Sequence, residues 1–181
     1  VANGKILKEK IFENIWVQPA AGDAGGSLDA ALAYWHLELM KDREIIKSDS
    51  MKGSYLGPEY DQEYIEKELN EIGAKYEKLK DDEIYEKTIK SLIKGDAVGW
   101  FQGRMEFGPR ALGARSILGD PRSEKMQKNL NLKVKYRESF RPFAPSVLEN
   151  EVTKWFDIEK TSPYMLMVAN VNKNKVIKMS N

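Results

Sequence analysis

Apolar side chains recur at helical spacing in several stretches of this 181-residue chain. One stretch follows Asp61 and predicts a helix that ends at Gly73, and a second helix is predicted from Asp81 to Gly95. Four further segments show the same spacing: residues 1–10, residues 28–40, a segment with Met126 and Leu130, and residues 149–156. Ser27 is the expected N-cap of the helix at residues 28–40.

Short apolar runs predict the strands. Residues 97–101 form the clearest strand, and four other segments are also predicted to be extended: 14–19, 76–79, 133–141 and 164–171. In residues 133–141, basic residues alternate with others, which predicts that Lys133, Lys135 and Arg137 share one face of the strand. Residues 41–60 show neither the helical nor the strand-like spacing of apolar side chains, which predicts a linker. The mixture of helices and strands indicates an α/β fold class.

Charge is distributed unevenly along the chain. The 29 Lys and Arg residues and 28 Asp and Glu residues leave a net charge of +1. Residues 1–103 carry 14 basic and 20 acidic residues, whereas residues 104–141 carry 10 basic and 4 acidic residues, a net charge of +6. A local positive field in a neutral protein concentrates small anions. A solvated basic face is the plainer alternative, although glycine and proline among the arginines argue against a simple helix.

The composition excludes several kinds of site. The chain has no cysteine, so it has neither a disulfide framework nor a thiolate nucleophile or metal ligand. No apolar run approaches the roughly 20 residues of a membrane span, so we expect no membrane partner and a cytoplasmic location. The single histidine, His36, is expected to be a packed or surface residue rather than a metal ligand.

Residues 103–118 combine glycines and a proline with three arginines, Arg104, Arg110 and Arg115. Glycine lets the backbone approach a ligand closely, and the arginine fork matches phosphate and carboxylate oxygens. A second basic cluster follows at residues 133–141. We therefore expect these two segments to form the walls of an anion site, placed where the strand at 97–101 ends.

A further glycine-rich turn precedes the helix predicted for residues 28–40. Gly22, Gly25 and Gly26 lie before Ser27, which predicts free backbone N–H groups at the positive end of the helix dipole. Such an end binds anions or nucleotides. A tight turn between a strand and a helix explains the same glycines, and the pattern alone leaves both interpretations open.

Several of these motifs together resemble a known family. Residues 103–118 with Asp120-Pro121-Arg122, followed by residues 131–138 and 140–147, resemble the C-terminal domain of the ATP-dependent O-carbamoyltransferases. These enzymes carbamoylate nodulation factors and antibiotics such as tobramycin. Residues 1–36, with the run Trp16–Gly26, are similar to the end of the same enzymes' first domain, and Gly57-Pro58-Glu59 resembles the lead-in to the second domain.

The resemblance implies a domain organisation. Residues 1–40 would be the last strand, turn and helix of an actin/hsp70-like, Kae1-type domain, and residues 41–60 the linker. Residues 61–181 would be an incomplete YrdC/Sua5-like domain, a twisted mixed sheet with helices. The chain would then be a fragment that lacks the upstream metal-binding histidines and a downstream nucleotide-binding segment, and that is inactive by itself.

The resemblance also implies a reaction and its residues. The second domain would form carbamoyl-adenylate from carbamoyl phosphate and ATP with Mg²⁺, and the first would transfer the carbamoyl group to a hydroxyl of a small-molecule or saccharide acceptor. By motif position, the catalytic cations are Arg110, Lys135 and Arg141, and no metal ligand is assigned. Other residues are expected to contact carbamoyl phosphate or ATP, or to orient the arginines: Arg104, Arg115, Ser116, Lys133, Arg137, Gly25 and Gly26 as contacts, and Glu106 and Glu138 as orienting groups.

Two functions of other classes remain open. A nucleic-acid-binding YrdC-like module would use the basic residues with Tyr136, Phe140 and Phe143 to stack bases. A non-catalytic interaction domain would keep the fold without the chemistry. The partners that we expect are small-molecule substrates and the remainder of the protein's own chain, with a homodimer left open and nucleic acid not expected.

Overall fold

A computed structural model describes residues 2–46 and 48–177, so predictions for Val1, Lys47 and residues 178–181 fall outside the described residues. The described chain forms two compact units. The first unit takes its residues from Val1–Ser54, Phe107–Leu112 and Pro145–Asn181, and the second from Tyr55–Glu106 and Gly113–Ala144. The predicted domain boundaries near residues 40 and 60 stay predictions.

Helices and a small sheet make up the regular structure. The described residues contain six α-helices: α1 Ala2–Lys8, α2 Asp23–Ala33, α3 Gln62–Glu71, α4 Asp81–Lys94, α5 Met126–Asn129 and α6 Val152–Trp155. Two π-helical turns continue α2 and α5, at Tyr34–Glu38 and Leu130–Val134, and short 3-10 turns lie at Lys52–Ser54, Glu149–Glu151 and Lys173–Lys175. This mixed content agrees with the predicted α/β class, and the Kae1-like and YrdC-like details stay predictions.

The two clearest helix predictions are confirmed. The Asp61 carboxylate caps α3 by accepting the backbone N–H of Tyr64 at 2.8 Å. Helix α4 ends at Gly95, whose φ of 89° is the left-handed conformation that glycine adopts readily. The predicted helices at residues 1–10 and 149–156 are also present, as α1 and as the short 3-10 turn that leads into α6.

The sheet of the second unit is a two-stranded antiparallel hairpin. Strand β1, Val98–Phe101, confirms the prediction for residues 97–101, and it pairs with β2, Arg115–Leu118. The sequence pattern missed β2 because its residues form part of the arginine-glycine motif. The two strands bring the ends of that motif's loop together, with Gln102 N–H donating to the Ala114 carbonyl at 3.0 Å.

Four predicted strands are wrong. Residues 14–19 and 76–79 have irregular backbone, and residues 164–171 contribute only a bridge between Val171 and Phe156 among the described residues. Residues 133–141 begin in the π-helical turn and continue as a bent loop. A short apolar or alternating run does not by itself supply the partner strand that extended backbone needs for its hydrogen bonds.

Helix α2 begins earlier than predicted. Its N-cap is Gly22, and Ser27 lies inside the helix with its hydroxyl donating to the Ala24 carbonyl at 2.8 Å. The N–H groups of Gly25 and Gly26 donate to the carbonyls of Ala20 at 2.8 Å and Gly22 at 3.1 Å. The expectation of free N–H groups at these two glycines is therefore wrong, because the helix begins before them.

Few side chains are fully buried. Among the described residues, the buried apolar ones are Met51, Ala114, Met126 and Leu130, and the buried polar ones are Ser54, Glu106 and Asn131. Contacts distant in sequence help to hold the first unit together: the α1 residue Asn3 donates to the Leu166 carbonyl at 2.9 Å, and Lys8 pairs with Asp157 at 2.6 Å. In the described part of the chain, no helix combines the length and apolar character that crossing a bilayer requires.

Candidate functional site

Arg110 borders a pocket of the first unit. The pocket has a volume of about 180 Å³, and its lining includes the turn Pro19–Gly22, Ser54 and Tyr164. Arg110 is exposed, and within the described part of the chain no side chain or carbonyl pairs with its guanidinium. The full donor fork of Arg110 is thus available to an anion that enters the pocket.

A strained turn forms part of this pocket wall. The Asp49 carboxylate accepts the backbone N–H of Met51 at 3.0 Å and of Gly53 at 2.9 Å, and it also accepts the Tyr164 hydroxyl. Lys52, Gly53 and Ser54 all have positive φ, between 48° and 68°. Such backbone is costly for residues other than glycine, so the Asp49 contacts stabilise it.

The same turn holds the segment that carries Arg110. Ser54 is only 2% exposed, and its carbonyl accepts the backbone N–H of Phe107 at 2.6 Å. Phe107 is the first residue of Phe107–Leu112, the segment of the arginine-glycine motif that belongs to the first unit. The turn therefore fixes the start of the Arg110 segment, a role that the sequence analysis did not assign to Asp49, Ser54 or Tyr164.

The hydrogen bond from the Tyr164 hydroxyl to the Asp49 carboxylate affects the ionisation of both groups. Burial raises the pKa of the Asp49 carboxyl, but the hydrogen bonds from Tyr164, Gly53 and Met51 outweigh it and hold that pKa below its usual 3.8. Burial and the adjacent carboxylate raise the pKa of Tyr164 to about 12. Near neutral pH, Asp49 is therefore charged and the Tyr164 hydroxyl remains a donor.

In the second unit, Glu106 joins the two ends of the arginine-glycine loop. Its side chain is fully buried, and it accepts the backbone N–H of Ala114 at 2.9 Å and Nε of Arg115 at 2.9 Å. Arg115 also donates through Nη2 to the Glu106 carbonyl at 3.2 Å. These contacts suit a carboxylate that orients an arginine, and the predicted functional role of Glu106 stays a prediction.

Arg104 and Ser116 lie in the same unit. Arg104 donates through Nη1 to the Gly57 carbonyl at 2.8 Å and pairs through Nη2 with Glu59 at 3.0 Å. Ser116 is half-buried in β2, opposite Trp100. The guanidinium groups of Arg104 and Arg115 thus both make contacts within the protein, and in this they differ from that of Arg110.

The second basic cluster is a bent loop, residues 133–141, hereafter the basic loop. Lys133 and Lys135 are exposed, and neither ammonium group has a hydrogen-bond or ion-pair partner among the residues that the structure describes. Lys133 borders a second cavity of about 230 Å³. The predicted common face with Arg137 is wrong, because Lys133 lies in the π-helical turn and Tyr136 has a φ of 50°, so the segment is not an extended strand.

The two arginines of the basic loop have different surroundings. Arg137 is half-buried, donates through Nε to Oδ1 of Asn131 at 2.7 Å, and lies over the Phe143 ring, 4.9 Å from its centroid. Arg141 is exposed and pairs through Nε with Glu138 at 2.8 Å. The backbone N–H of Glu138 itself and the Arg141 guanidinium hold the pKa of the Glu138 carboxyl below its usual 4.5.

Two carboxamides hold the basic loop, Gln127 and Asn131, and no sequence pattern predicted this role for either of them. Asn131 is completely buried and donates through Nδ2 to the carbonyls of Ser139 at 3.1 Å and Arg141 at 2.8 Å. Gln127 donates through Nε2 to the carbonyls of Phe140 at 3.2 Å and Arg141 at 3.1 Å. Their spacing of four residues on one helix was the available signal.

The predicted site residues are divided between the two units. Arg110, Gly25 and Gly26 belong to the first unit, and the other nine belong to the second. The structure brings Glu106 together with Arg115, and Glu138 together with Arg141. The joint action of Arg110, Lys135 and Arg141 stays a prediction.

Comparison with known proteins agrees with the resemblance found in the sequence. Residues 89–181 match the family model described as the carbamoyltransferase C-terminus, and residues 1–32 match the one described as the carbamoyltransferase N-terminus.

Individual relatives extend this result. An uncharacterised protein of Synechocystis is 55% identical over 96% of this chain and 28% of its own length. The nodulation protein NolNO of Sinorhizobium fredii is 40% identical over 96% of the chain and 25% of its own length. The nodulation protein NolO of Bradyrhizobium diazoefficiens is 39% identical over 96% of the chain and 32% of its own length. The chain thus spans between a quarter and a third of these relatives.

Proposed function

The chain belongs to the carbamoyltransferase family, and from this premise we propose that it is part of an O-carbamoyltransferase. In this proposal the basic segment, residues 104–141, binds carbamoyl phosphate and ATP. With one water, these form carbamoyl-adenylate and release phosphate and pyrophosphate. A hydroxyl of a small-molecule or saccharide acceptor then takes the carbamoyl group, with AMP as the leaving group. We place this reaction in the cytoplasm.

The observation that carries the proposal is the division of the cations into two groups. Arg104, Arg115 and Arg137 are used in contacts within the protein. Arg110 and Lys135, by contrast, have no side-chain partner in the described part of the chain, and both are exposed. A guanidinium or an ammonium group without an internal partner can bind an anionic substrate group without first losing a contact within the protein.

The three cations predicted to be catalytic have proposed roles of two kinds. Carbamoyl phosphate and ATP both carry several negative charges, and bringing them together requires cations to offset their repulsion. Arg110 and Arg141 suit phosphate oxygens, because a guanidinium can donate two parallel hydrogen bonds. Lys135 supplies a compact point charge to the phosphate that leaves or is transferred.

Mg²⁺ enters the proposal only with the ATP phosphates. Within residues 2–46 and 48–177, no group of three or more His, Asp or Glu side chains is arranged to hold a metal ion. His36 is half-buried, and its Nδ1 shares a hydrogen bond with the Lys41 carbonyl at 2.8 Å. We therefore assign no metal ligand to the described residues.

The remainder of the protein's own chain is the partner that we propose. Large apolar side chains are exposed in the first unit, among them Trp16 at 74%, Leu37 at 71% and Ile45 at 86%. Exposed apolar surface of this extent is typical of an interface. The greater length of the relatives supports a covering segment of the same chain.

Substitution of the free cations in the full-length protein tests the proposed function. We expect Arg110→Ala and Lys135→Ala each to weaken binding of carbamoyl phosphate or ATP with Mg²⁺ by about 1–3 kcal/mol, the scale of a hydrogen bond to a charged group. Isothermal titration calorimetry at two salt concentrations gives these affinities directly.

The matched control is Arg122→Ala, which removes the same charge from the same basic segment. Arg122 is exposed and paired with Asp120 at 2.7 Å, so we expect its loss to change either affinity by no more than about twofold. If folded Arg110→Ala and Lys135→Ala proteins bind both ligands like the unaltered protein, the site assignment is wrong.

A further inference from the structure

We propose that Gln127 and Asn131, hereafter the carboxamide pair, are positioning residues that hold Arg141 in place to bind the anionic substrate. The proposal rests on the proposed function, because it takes Arg141 as a substrate-binding cation. It assigns a role to Gln127, which lies outside the motifs, and to Asn131, which opens the motif at residues 131–138 without a predicted role there.

Both side chains of the carboxamide pair converge on one carbonyl. Helix α5 and its π-helical continuation place Gln127 and Asn131 four residues apart on one face. Gln127 Nε2 and Asn131 Nδ2 both donate to the Arg141 carbonyl oxygen, at 3.1 Å and 2.8 Å. A carbonyl oxygen has two lone pairs, so the pair uses the full acceptor capacity of Arg141.

The Asn131 side chain uses both its amide nitrogen and its oxygen in contacts with the basic loop. Its second Nδ2 hydrogen bond goes to the Ser139 carbonyl at 3.1 Å, and its Oδ1 accepts Nε of Arg137 at 2.7 Å. The Asn131 carbonyl also accepts the backbone N–H of Arg137 at 3.0 Å. At 0% exposure Asn131 cannot touch a ligand, so any effect on binding must act through the loop.

The Arg141 end of the basic loop has irregular backbone. Residues 135–141 contain no strand or helix, and ordering such a segment opposes its conformational entropy. The backbone N–H of Arg141 donates to the Glu138 carbonyl at 3.3 Å, a contact within the loop itself. The carboxamide pair therefore connects Arg141 to a helix, whereas Glu138 is itself part of the loop.

The main test is Asn131→Asp in the full-length protein. The carboxylate keeps an acceptor for Arg137 but has no N–H to donate to Ser139 and Arg141. We expect carbamoyl phosphate to bind about tenfold more weakly by calorimetry, and backbone amides of residues 135–141 to exchange hydrogen faster. A purely structural residue would lower the melting temperature without changing the affinity of the folded protein.

A matched control is Asn172→Asp in the first unit. Asn172 Nδ2 also donates to a backbone carbonyl, that of Thr153 at 2.8 Å, so the chemical change is the same. We expect this variant to bind carbamoyl phosphate with unchanged affinity.

A second variant covers the outcome that Asn131→Asp does not fold. Gln127 is exposed, so Gln127→Met removes two donors to the same segment while keeping a side chain of similar length. We expect roughly threefold to tenfold weaker binding of carbamoyl phosphate. Unchanged affinity in Gln127→Met overturns the proposal, whether or not Asn131→Asp folds.

Arg141→Ala separates this proposal from the proposed function. If Arg141→Ala weakens binding while the folded carboxamide variants bind normally, the carboxamide pair is only structural and the positioning role is wrong. If Arg141→Ala itself binds carbamoyl phosphate normally, its assignment in the proposed function fails, and the positioning proposal fails with it.

Discussion

At the scale of single residues, buried polar groups rather than large apolar ones define the candidate site. Glu106 closes the arginine-glycine loop through two acceptor contacts, and Asn131 holds the basic loop through two donor contacts. A buried polar group that loses its partners is costly, so such residues tolerate little change. These two residues specify the geometry of the cations around them.

Gly25 and Gly26 provide a test at this scale, because the two neighbours differ in their surroundings. A Cβ on Gly25 would lie 2.3 Å from the Ala20 carbonyl oxygen, whereas a Cβ on Gly26 would meet nothing within 4 Å. We expect Gly25→Ala to destabilise the protein by about 1–3 kcal/mol, and Gly26→Ala to stabilise it by about 0.5–1 kcal/mol. Urea unfolding measures both, and equal effects would contradict the packing that we describe for α2.

At the scale of elements, turns and loops do the positioning, and the regular elements provide the support. The turn Asp49–Ser54 fixes the segment that carries Arg110, and it combines strained backbone with a carboxylate that binds its N–H groups. Helix α5 does the same for the basic loop through its side chains. Binding residues on loops held by a rigid element are the common arrangement in proteins.

The turn Asp49–Ser54 should make stability depend on pH at both extremes. The lowered pKa of Asp49 means that its contribution is present above pH 3.8 and is lost as the pH falls through its folded-state pKa. Tyr164 has a pKa raised from 10.0 to about 12, so its contribution is present below pH 10 and is lost as the pH rises towards 12.

Melting temperatures across pH check this prediction in three proteins. Relative to the unaltered protein, Asp49→Asn should lose less stability below pH 3.8, and Tyr164→Phe should lose less between pH 10 and 12. If the melting temperature depends on pH in the same way in all three proteins, the hydrogen bond between Asp49 and Tyr164 does not stabilise the turn.

At the scale of the whole molecule, the separation of charge distinguishes the candidate functions. Residues 104–141 have a net charge of +6 in a chain whose total is +1, which suits either a small anion or a nucleic acid. Phe143 already stacks beneath Arg137, so one of the three aromatic rings suggested for base stacking is in use. Tyr136 and Phe140 are exposed, at 86% and 76%.

Salt dependence separates the two functions. A nucleic-acid-binding module should bind a labelled single-stranded oligonucleotide at about 50 mM salt and lose on the order of 10³-fold in affinity by about 200 mM. We expect no saturable oligonucleotide binding at the higher salt, where carbamoyl phosphate still binds. Fluorescence anisotropy measures oligonucleotide binding, and calorimetry measures carbamoyl phosphate binding. Tight oligonucleotide binding without carbamoyl phosphate binding would favour the alternative.

The success of the sequence predictions depended on how far apart the interacting residues lie. The helix after Asp61 was predictable because its cap joins residues three positions apart, and α4 because Gly95 ends it directly. The N-terminus of α2 was not, since a contact between Gly25 and Ala20 moved it ahead of Ser27. Strand β2 was missed because only its pairing with β1 makes it a strand.

The sequence by itself determined the periodic elements, the concentration of positive charge and the motifs that resemble the carbamoyltransferases. These depend on residue type and on neighbours within a few positions. Only the tertiary structure decided which cations are free, because Arg104 is bound by Gly57, 47 residues away, and Arg137 by a buried Asn131. Such contacts depend on how the chain folds back on itself, and no local pattern specifies that.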